Sequence, residues 1–424
     1  MPDNSSPPKL RDLRLDFFRG LALLIIFVSH LPDNWLARYK PGAFGFSDSA
    51  DIFVFVSGYA AALAYSKIFS RSGFFIGTAR VVKRVVELYA CNLGLFFVIA
   101  ALCIAGNRYL DTGVDYDDLL NITFFLNHTE DALLALFALR WVPNYFDILT
   151  MYMVVLAMLP LMMLVARWHV AIAVLGSIAL YLAVPLFKLE LPAEMGFDRP
   201  WFFNPFAWQF LFYTGFFLGA GWIKPPPVCR WLTIACAAFV ILSIPLSHFP
   251  TYSSFRWLDT LRGLIEPFVA KTNLGILRWV HFLCLAYLAV AVLKGREQVL
   301  HRRFAAPIVK AGQQALPVFL TGTAMSFMGG MALDVWGRSI PKTLVVNAIG
   351  IVLLVLAAVV VAWFKSQPWS GEKKPRKRDL KDEKADGRYT DRLGRADDSR
   401  SWAGTCPDVA AGSSERTQSS PIGC

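Results

Sequence analysis

Arg19 and His30 stand in one apolar stretch, DFFRGLALLIIFVSH, eleven positions apart. In a helix that spacing brings the two side chains within roughly 20° of the same face and about 16 Å apart along the axis. A guanidinium grips phosphate groups through paired hydrogen bonds. A neutral imidazole takes a proton from a hydroxyl and returns it to a leaving group. Ionisable groups inside an apolar span are costly, so they mark function by default. Together the two suit acyl transfer from a coenzyme A thioester. Arg19 would hold the phosphates near an inner face, and the pantetheine arm would run along the helix to His30. Asp16, one turn before Arg19, can pair with it. The competing reading makes Arg19 a positive-inside anchor and His30 an interfacial helix-end residue.

Further segments carry groups that suit the same chemistry. FSDSADIFVFVSGYAAALAY places Asp48 and Asp51 at the outer mouth of a second span. A carboxylate there can orient His30 and stabilise its imidazolium, as in hydrolase triads. Ser57, Gly58 and Tyr59 interrupt that apolar helix, which allows close approach of another helix or of a narrow ligand. No hydrolase-type elbow surrounds Ser57, which argues against a covalent nucleophile. RVVKRVVELYA puts Arg80, Lys83 and Arg84 on one broad face at the inner end of a third span, as a phosphate clamp or as a solvated positive-inside cluster. RWVPNYFDILTMY sets Asp147 and Tyr152 at the start of a fourth, where Asp147 either caps the helix or lines a polar cavity. The aromatics of FNPFAWQF at 203–210 fit an interfacial belt, or a platform for sugar rings. Gln313 and Gln314 lie near an inner helix end. His128, His169, His248, His281 and His301 show no metal-ligand spacing and are read as non-catalytic, so no metal is expected.

These residues must be positioned by a membrane scaffold. Hydrophobic residues make up 56% of the 424, and the mean hydropathy is +0.47. Runs of about 18 or more mostly apolar residues recur, the length that crosses a bilayer core. About ten transmembrane helices are expected, near 15–33, 50–68, 85–106, 146–167, 169–187, 205–223, 231–248, 274–294, 313–333 and 343–364. The fold class is therefore all-α and polytopic. The net charge of +11 falls largely beside apolar spans, which excludes nucleic acid as the natural partner and points to the positive-inside rule. With both termini cytoplasmic, Lys9, Arg11, Arg14, Lys67, Arg71, Arg80, Lys83 and Arg84 lie inside, and the acidic 107–145 loop lies outside. The 249–273 loop, with Arg256, Arg262 and Lys271, runs against that trend. Residues 1–14 form a polar cytoplasmic segment without a cleavage site after the first helix. Residues 15–365 form the transmembrane domain. Residues 366–424 read as a disordered charged cytoplasmic tail, whose KKPRKR at 373–378 can rest on anionic lipid or simply anchor topology. The seven cysteines show no CxxC or Cys/His ligand spacing and read as small buried thiols. No internal repeat supports a transporter of inverted halves.

RGLALLIIFVSH, FSDSADIFVFVSGY, RVVKR and YFDILTMY, in this order within the first 150 residues, resemble the OpgC family, a branch of the membrane acyltransferase-three superfamily. The resemblance implies a multi-pass enzyme of the bacterial inner membrane. Such an enzyme moves succinyl groups from cytoplasmic succinyl-CoA, a co-substrate rather than a bound cofactor, onto osmoregulated periplasmic glucans. By position, Arg19 and His30 match the superfamily's Arg/His pair. Asp48, Asp51, Ser57, Gly58 and Tyr59 match its second-helix segment, and Arg80 and Arg84 its basic one. The expected catalytic set is thus His30, Asp48 and Asp51. Arg19, Ser57, Tyr59, Arg80, Lys83 and Arg84 bind acyl-CoA, and Asp16 and Asp147 support them. The bilayer, the acyl-CoA and the glucan are the expected partners, with a homo-oligomer or glucan-synthesis proteins left open. Two alternatives stand beside it: an O-acetyltransferase for another exported polysaccharide, and a proton-coupled transporter or flippase in which His30 and the acids relay protons. Succinyl would call for a further cation near His30, with Arg38 and Lys40 among the candidates.

Overall fold

The computed structural model describes residues 12–193 and 199–369. Lys9, Arg11, the 373–378 basic cluster, Cys406 and Cys424 lie outside the described residues, as does nearly all of the 1–14 and 366–424 segments. The chain divides into two units, Met1–Ser366 and Gln367–Cys424, and the first holds every helix below.

Three helices cover the first three expected spans: α1 (Leu13–His30), α2 (Ser49–Arg71) and α3 (Phe74–Tyr109). The short helices α4 (Tyr116–Leu120), α5 (Thr123–Asn127) and α6 (Thr129–Phe137) fill the acidic loop. Helices α7 (Asp147–Ala157) and α8 (Leu159–Trp168) meet at Met158, where Pro160 stands at the start of the second. Then come α9 (Val170–Phe187), α10 (Pro205–Ala220) and α11 (Arg230–Ser247). The 249–273 loop folds into α12 (Phe249–Ser254) and α13 (Arg256–Val269). The chain continues through α14 (Ile276–Leu293), α15 (Ala306–Gln313), α16 (Ala315–Trp336) and α17 (Ile340–Lys365). Among the described residues the only β-pairing is an isolated bridge between Pro192 and Pro200.

The protein is an all-α polytopic membrane protein. Among the described residues, eight helical stretches are long and apolar enough to cross a bilayer, with α7 and α8 together forming one of them. Helices α1 and α10 occupy two further expected spans, but α1 carries Arg14, Asp16 and Arg19, and α10 has only 16 residues. Many helix faces leave large apolar side chains uncovered, as Leu175, Leu182 and Leu186 on α9 and Val352, Leu356 and Val359 on α17. Lipid covers such faces at no hydrophobic cost, so packing between the helices must come from close fit. Along α13, Trp257, Leu261, Leu264 and Phe268 are all exposed at helical spacing, beside Arg256 and Arg262. That is the pattern of a helix lying in the plane of the membrane interface, and it accounts for basic residues in this loop.

The core is built where glycines let helices touch. Gly58 of α2 sits so close to α10 that a Cβ would overlap the carbonyl oxygen of Phe212. Gly215 of α10 meets the carbonyl of Phe55 in the same way. Trp208, Phe212, Tyr213 and Phe216 fill the space around this crossing and are fully buried. The FNPFAWQF aromatics therefore do not form an interfacial belt: Trp208 lies in the core and donates its indole N–H to the Lys271 carbonyl at 2.9 Å. Helix α10 begins with Asn204 capping the Phe206 N–H and Pro205 in its first turn, and ends at Gly221 in the left-handed region, φ 76°. The five cysteines among the described residues are free thiols, two of them buried.

Candidate functional site

Helix α1 is clamped before it can present anything. Gly20 lies against α15 with no room for a Cβ beside the Ile308 carbonyl, and Gly312 of α15 lies equally close to the Asp16 carbonyl. Phe27 packs over Gly350 of α17. Asp16 is buried in the first turn of α1. Arg19 reaches across to α2, where its guanidinium donates to the Val56 carbonyl at 3.2 Å. A donor held this way has lost rotamer freedom before any ligand arrives.

Two cavities open along α1. The first, about 230 Å³, is lined by Arg19, Ser57, Tyr65, Arg84 and Tyr152, with the start of α16. The second, about 320 Å³, is lined by His30, Lys40, Asp48, Tyr145, Asp147 and Lys271, among others. Arg19 and His30 thus each line a chamber of their own, with Ile148 of α7 in the wall of both.

At the Arg19 end, the sequence-expected residues divide. Ser57 and Arg84 reach the cavity, while Arg80 and Lys83 are exposed on α3 and do not line it. Arg84 also pairs with Glu87 at 3.1 Å. Gly58 serves helix packing, and the backbone of Tyr59 packs against Gly215 and Gly219 of α10. Tyr59 does not line the cavity.

At the His30 end, the carboxylates are held by cations that sequence reasoning did not single out. Asp48 caps α2 by accepting from the Ala50 N–H, and Asp51 accepts from the Asp48 N–H, both at 2.8 Å. This reciprocal box is the local reason that DSAD starts a helix here. Lys271 reaches the Asp48 carboxylate at 2.7 Å and Arg278 reaches it at 3.2 Å. Arg278 also grips Asp51 with two hydrogen bonds, at 3.0 and 2.6 Å. Burial alone would raise the Asp48 pKa, but Lys271 and then Arg278 outweigh it and hold the carboxyl below the usual carboxylate range. The Lys40 pKa is lowered, first by desolvation and then by repulsion from Lys271.

The His30 ring packs edge-on against Tyr145, with centroids 5.2 Å apart, and Tyr145 in turn meets Phe327 at 5.2 Å. Tyr145 adopts φ 73°, a left-handed conformation that a bulky residue rarely takes. Such strain gathers at sites where a side chain must be aimed. His30 Nδ1 is buried and makes no hydrogen bond, so neither Asp48 nor Asp51 binds it directly there. Asp147 Oδ1 is likewise buried without a partner, and Asp147 lines the cavity while the α7 cap position belongs to Phe146. Two unsatisfied polar groups around one cavity leave it ready for a polar guest.

His281 lies inside the second turn of α14, where its Nδ1 and the Ser47 hydroxyl are 2.8 Å apart. It does not line either cavity. Among the described residues no group of three His, Cys, Asp or Glu side chains is placed to hold a metal. Lys271, Arg278 and Tyr145 were missed from the sequence. Only Lys271 left a signal, as a basic residue in a loop whose orientation disfavours it.

No curated protein and no solved structure matches the chain. The family model described as OpgC protein matches residues 11–366, and so takes in every helix from α1 to α17. The chain belongs to the OpgC family, and that membership supports an acyltransferase role of the glucan succinyltransferase type.

Proposed function

We propose that this protein transfers succinyl groups from cytoplasmic acyl-CoA, across the bacterial inner membrane, to hydroxyls of a periplasmic glucan. The observation that carries the reading is the pair of cavities at the two ends of α1, one holding Arg19 and the other His30, with Ile148 in the wall of both. Arg19, with Arg84, meets the coenzyme A phosphates, and Ser57 lies where the pantetheine arm enters. The arm spans the length of α1 between Arg19 and His30, and brings the thioester to the His30 chamber.

There the neutral imidazole of His30 accepts the proton of a glucan hydroxyl as the oxygen attacks the thioester carbonyl. The tetrahedral intermediate collapses, the carbon–sulfur bond breaks, and the coenzyme A thiolate takes the proton back from the imidazolium. Asp48 stabilises that imidazolium through space from the cavity wall. Asp51 acts behind it by fixing Arg278. Asp147 faces the same chamber as an acceptor for a sugar hydroxyl, and Phe202 and Phe203, which also line it, offer an apolar face to the ring. Asp16 supports α1 from its buried first turn.

The test is mass spectrometry of glucans from a strain deleted for this protein, with and without the wild-type chain restored. A succinyl ester that appears only with the restored chain supports the reading. A restored, membrane-inserted chain that adds no ester to the glucan contradicts it.

A further inference from the structure

The His30 chamber brings two lysine ammonium groups to one space. Its wall carries Lys40, Lys271, Asp48 and Asp147. Lys271 and Arg278 share Asp48, Arg278 is bidentate on Asp51, and Arg199 is the cation facing Asp147. Asp48 and Asp51 are thus held in ion pairs by Lys271 and Arg278, and Lys40 is in none, although Asp48 attracts it. The Lys40 ammonium makes no hydrogen bond or ion pair with any described residue. It faces the same space as Lys271 and is repelled by it. Phe202 and Phe203 flank Lys271, whose ammonium lies 5.6 and 5.2 Å from their rings, so its position is set by packing as well as by Asp48.

Two ammonium groups facing one cavity, one of them in no ion pair, call for an anion between them. The thioester end of the donor is uncharged, so the anion must sit at the far end of the acyl group. We propose that Lys40 and Lys271 form the receptor for the terminal carboxylate of a dicarboxylic acyl group, and that this receptor selects succinyl over neutral acyl chains. The inference rests on the reading that the acyl group reaches His30. Lys40 supplies an ammonium that no ion pair engages. Lys271 supplies a donor held in place by Asp48. A neutral acyl group of equal length would leave both cations unpaired in a partly desolvated site, which is how a polar pocket rejects an isostere that lacks the matching group.

The experiment measures binding of succinyl-CoA and of butyryl-CoA, its four-carbon analogue without the carboxylate, to the purified full chain in detergent. Wild type and His30→Ala are both expected to favour succinyl-CoA. Lys40→Met, which breaks no pair seen in the structure, is expected to weaken succinyl-CoA about tenfold or more and butyryl-CoA hardly at all. Lys271→Arg, which keeps the bond to Asp48, is expected to retain the preference. Equal affinity of the wild type for the two thioesters would overturn the proposal, as would an equal loss of both in Lys40→Met. A wild type that discriminates in binding but transfers no acyl group would uphold the receptor and remove the transfer reading instead.

Discussion

Asp51 of α2 and Arg278 of α14 form a bidentate ion pair, at 3.0 and 2.6 Å, in which neither side chain is more than slightly exposed. The pair ties two helices far apart in sequence and sets the second cation on Asp48. Removing one partner leaves a buried charge uncompensated, at a cost of about 3–5 kcal/mol. Arg278→Met alone should therefore lower the thermal unfolding temperature in detergent markedly. Combining it with Asp51→Leu should recover much of the loss. If the double variant melts as low as the single one, the pair is not what holds α14 to α2.

The glycine crossings make a second prediction. Gly58→Ala forces a methyl into the Phe212 carbonyl, and overpacking of this kind costs about 1–3 kcal/mol. Gly58→Leu should abolish the folded, extractable protein. Ser57→Ala, one residue away but facing the Arg19 cavity, should fold normally and weaken acyl-CoA. Size-exclusion profiles of the extracted variants separate the two outcomes, and a monodisperse Gly58→Leu protein would contradict the packing.

The basic face of α3 should act through one residue. Arg84 lines the Arg19 cavity, whereas Arg80 and Lys83 are exposed and do not line it. Loss of one charge-assisted phosphate contact is worth about 1.5–3 kcal/mol, so Arg84→Ala should raise the KM for acyl-CoA about tenfold or more. Arg80→Ala and Lys83→Ala should each stay within about twofold, because they remove only screened surface charge. A larger effect from Arg80→Ala than from Arg84→Ala would reverse the assignment.

Asp48 sets an acid limit on stability. Burial raises its pKa, but Lys271 and Arg278 more than reverse this, and the folded value lies below the unfolded one of about 3.9. Its stabilisation is therefore complete above the unfolded value and is lost as pH falls below it towards the folded one. The unfolding temperature of the wild type should drop below about pH 4, and Asp48→Asn should show a lower but flatter profile there. Parallel profiles for the two proteins would show that Asp48 does not carry the dependence.

The sequence carried α1 and its two ionisable residues in plain view, because an arginine and a histidine in an apolar run have no cheap explanation. It also carried the close approach at Gly58, although only the structure shows that a helix fills it while the adjacent Ser57 faces a cavity. Lys271 and Arg278 were harder to find. Their roles come from pairing with Asp48 and Asp51 across more than 200 positions of chain, and no local pattern encodes such a contact. Tyr145 is set by a left-handed backbone that its residue type does not announce. On α3 three cations share a broad face, and the sequence alone does not say that Arg84 is the one of the three that lines the Arg19 cavity.

The most direct test of the central claim is the succinyl content of glucans from the deleted strain carrying His30→Ala, expressed and inserted at the wild-type level. The two-chamber account predicts that the ester is lost while acyl-CoA still binds at the Arg19 end. Glucans succinylated to the wild-type extent would contradict it, and His30 would then be no more than the end of a membrane helix.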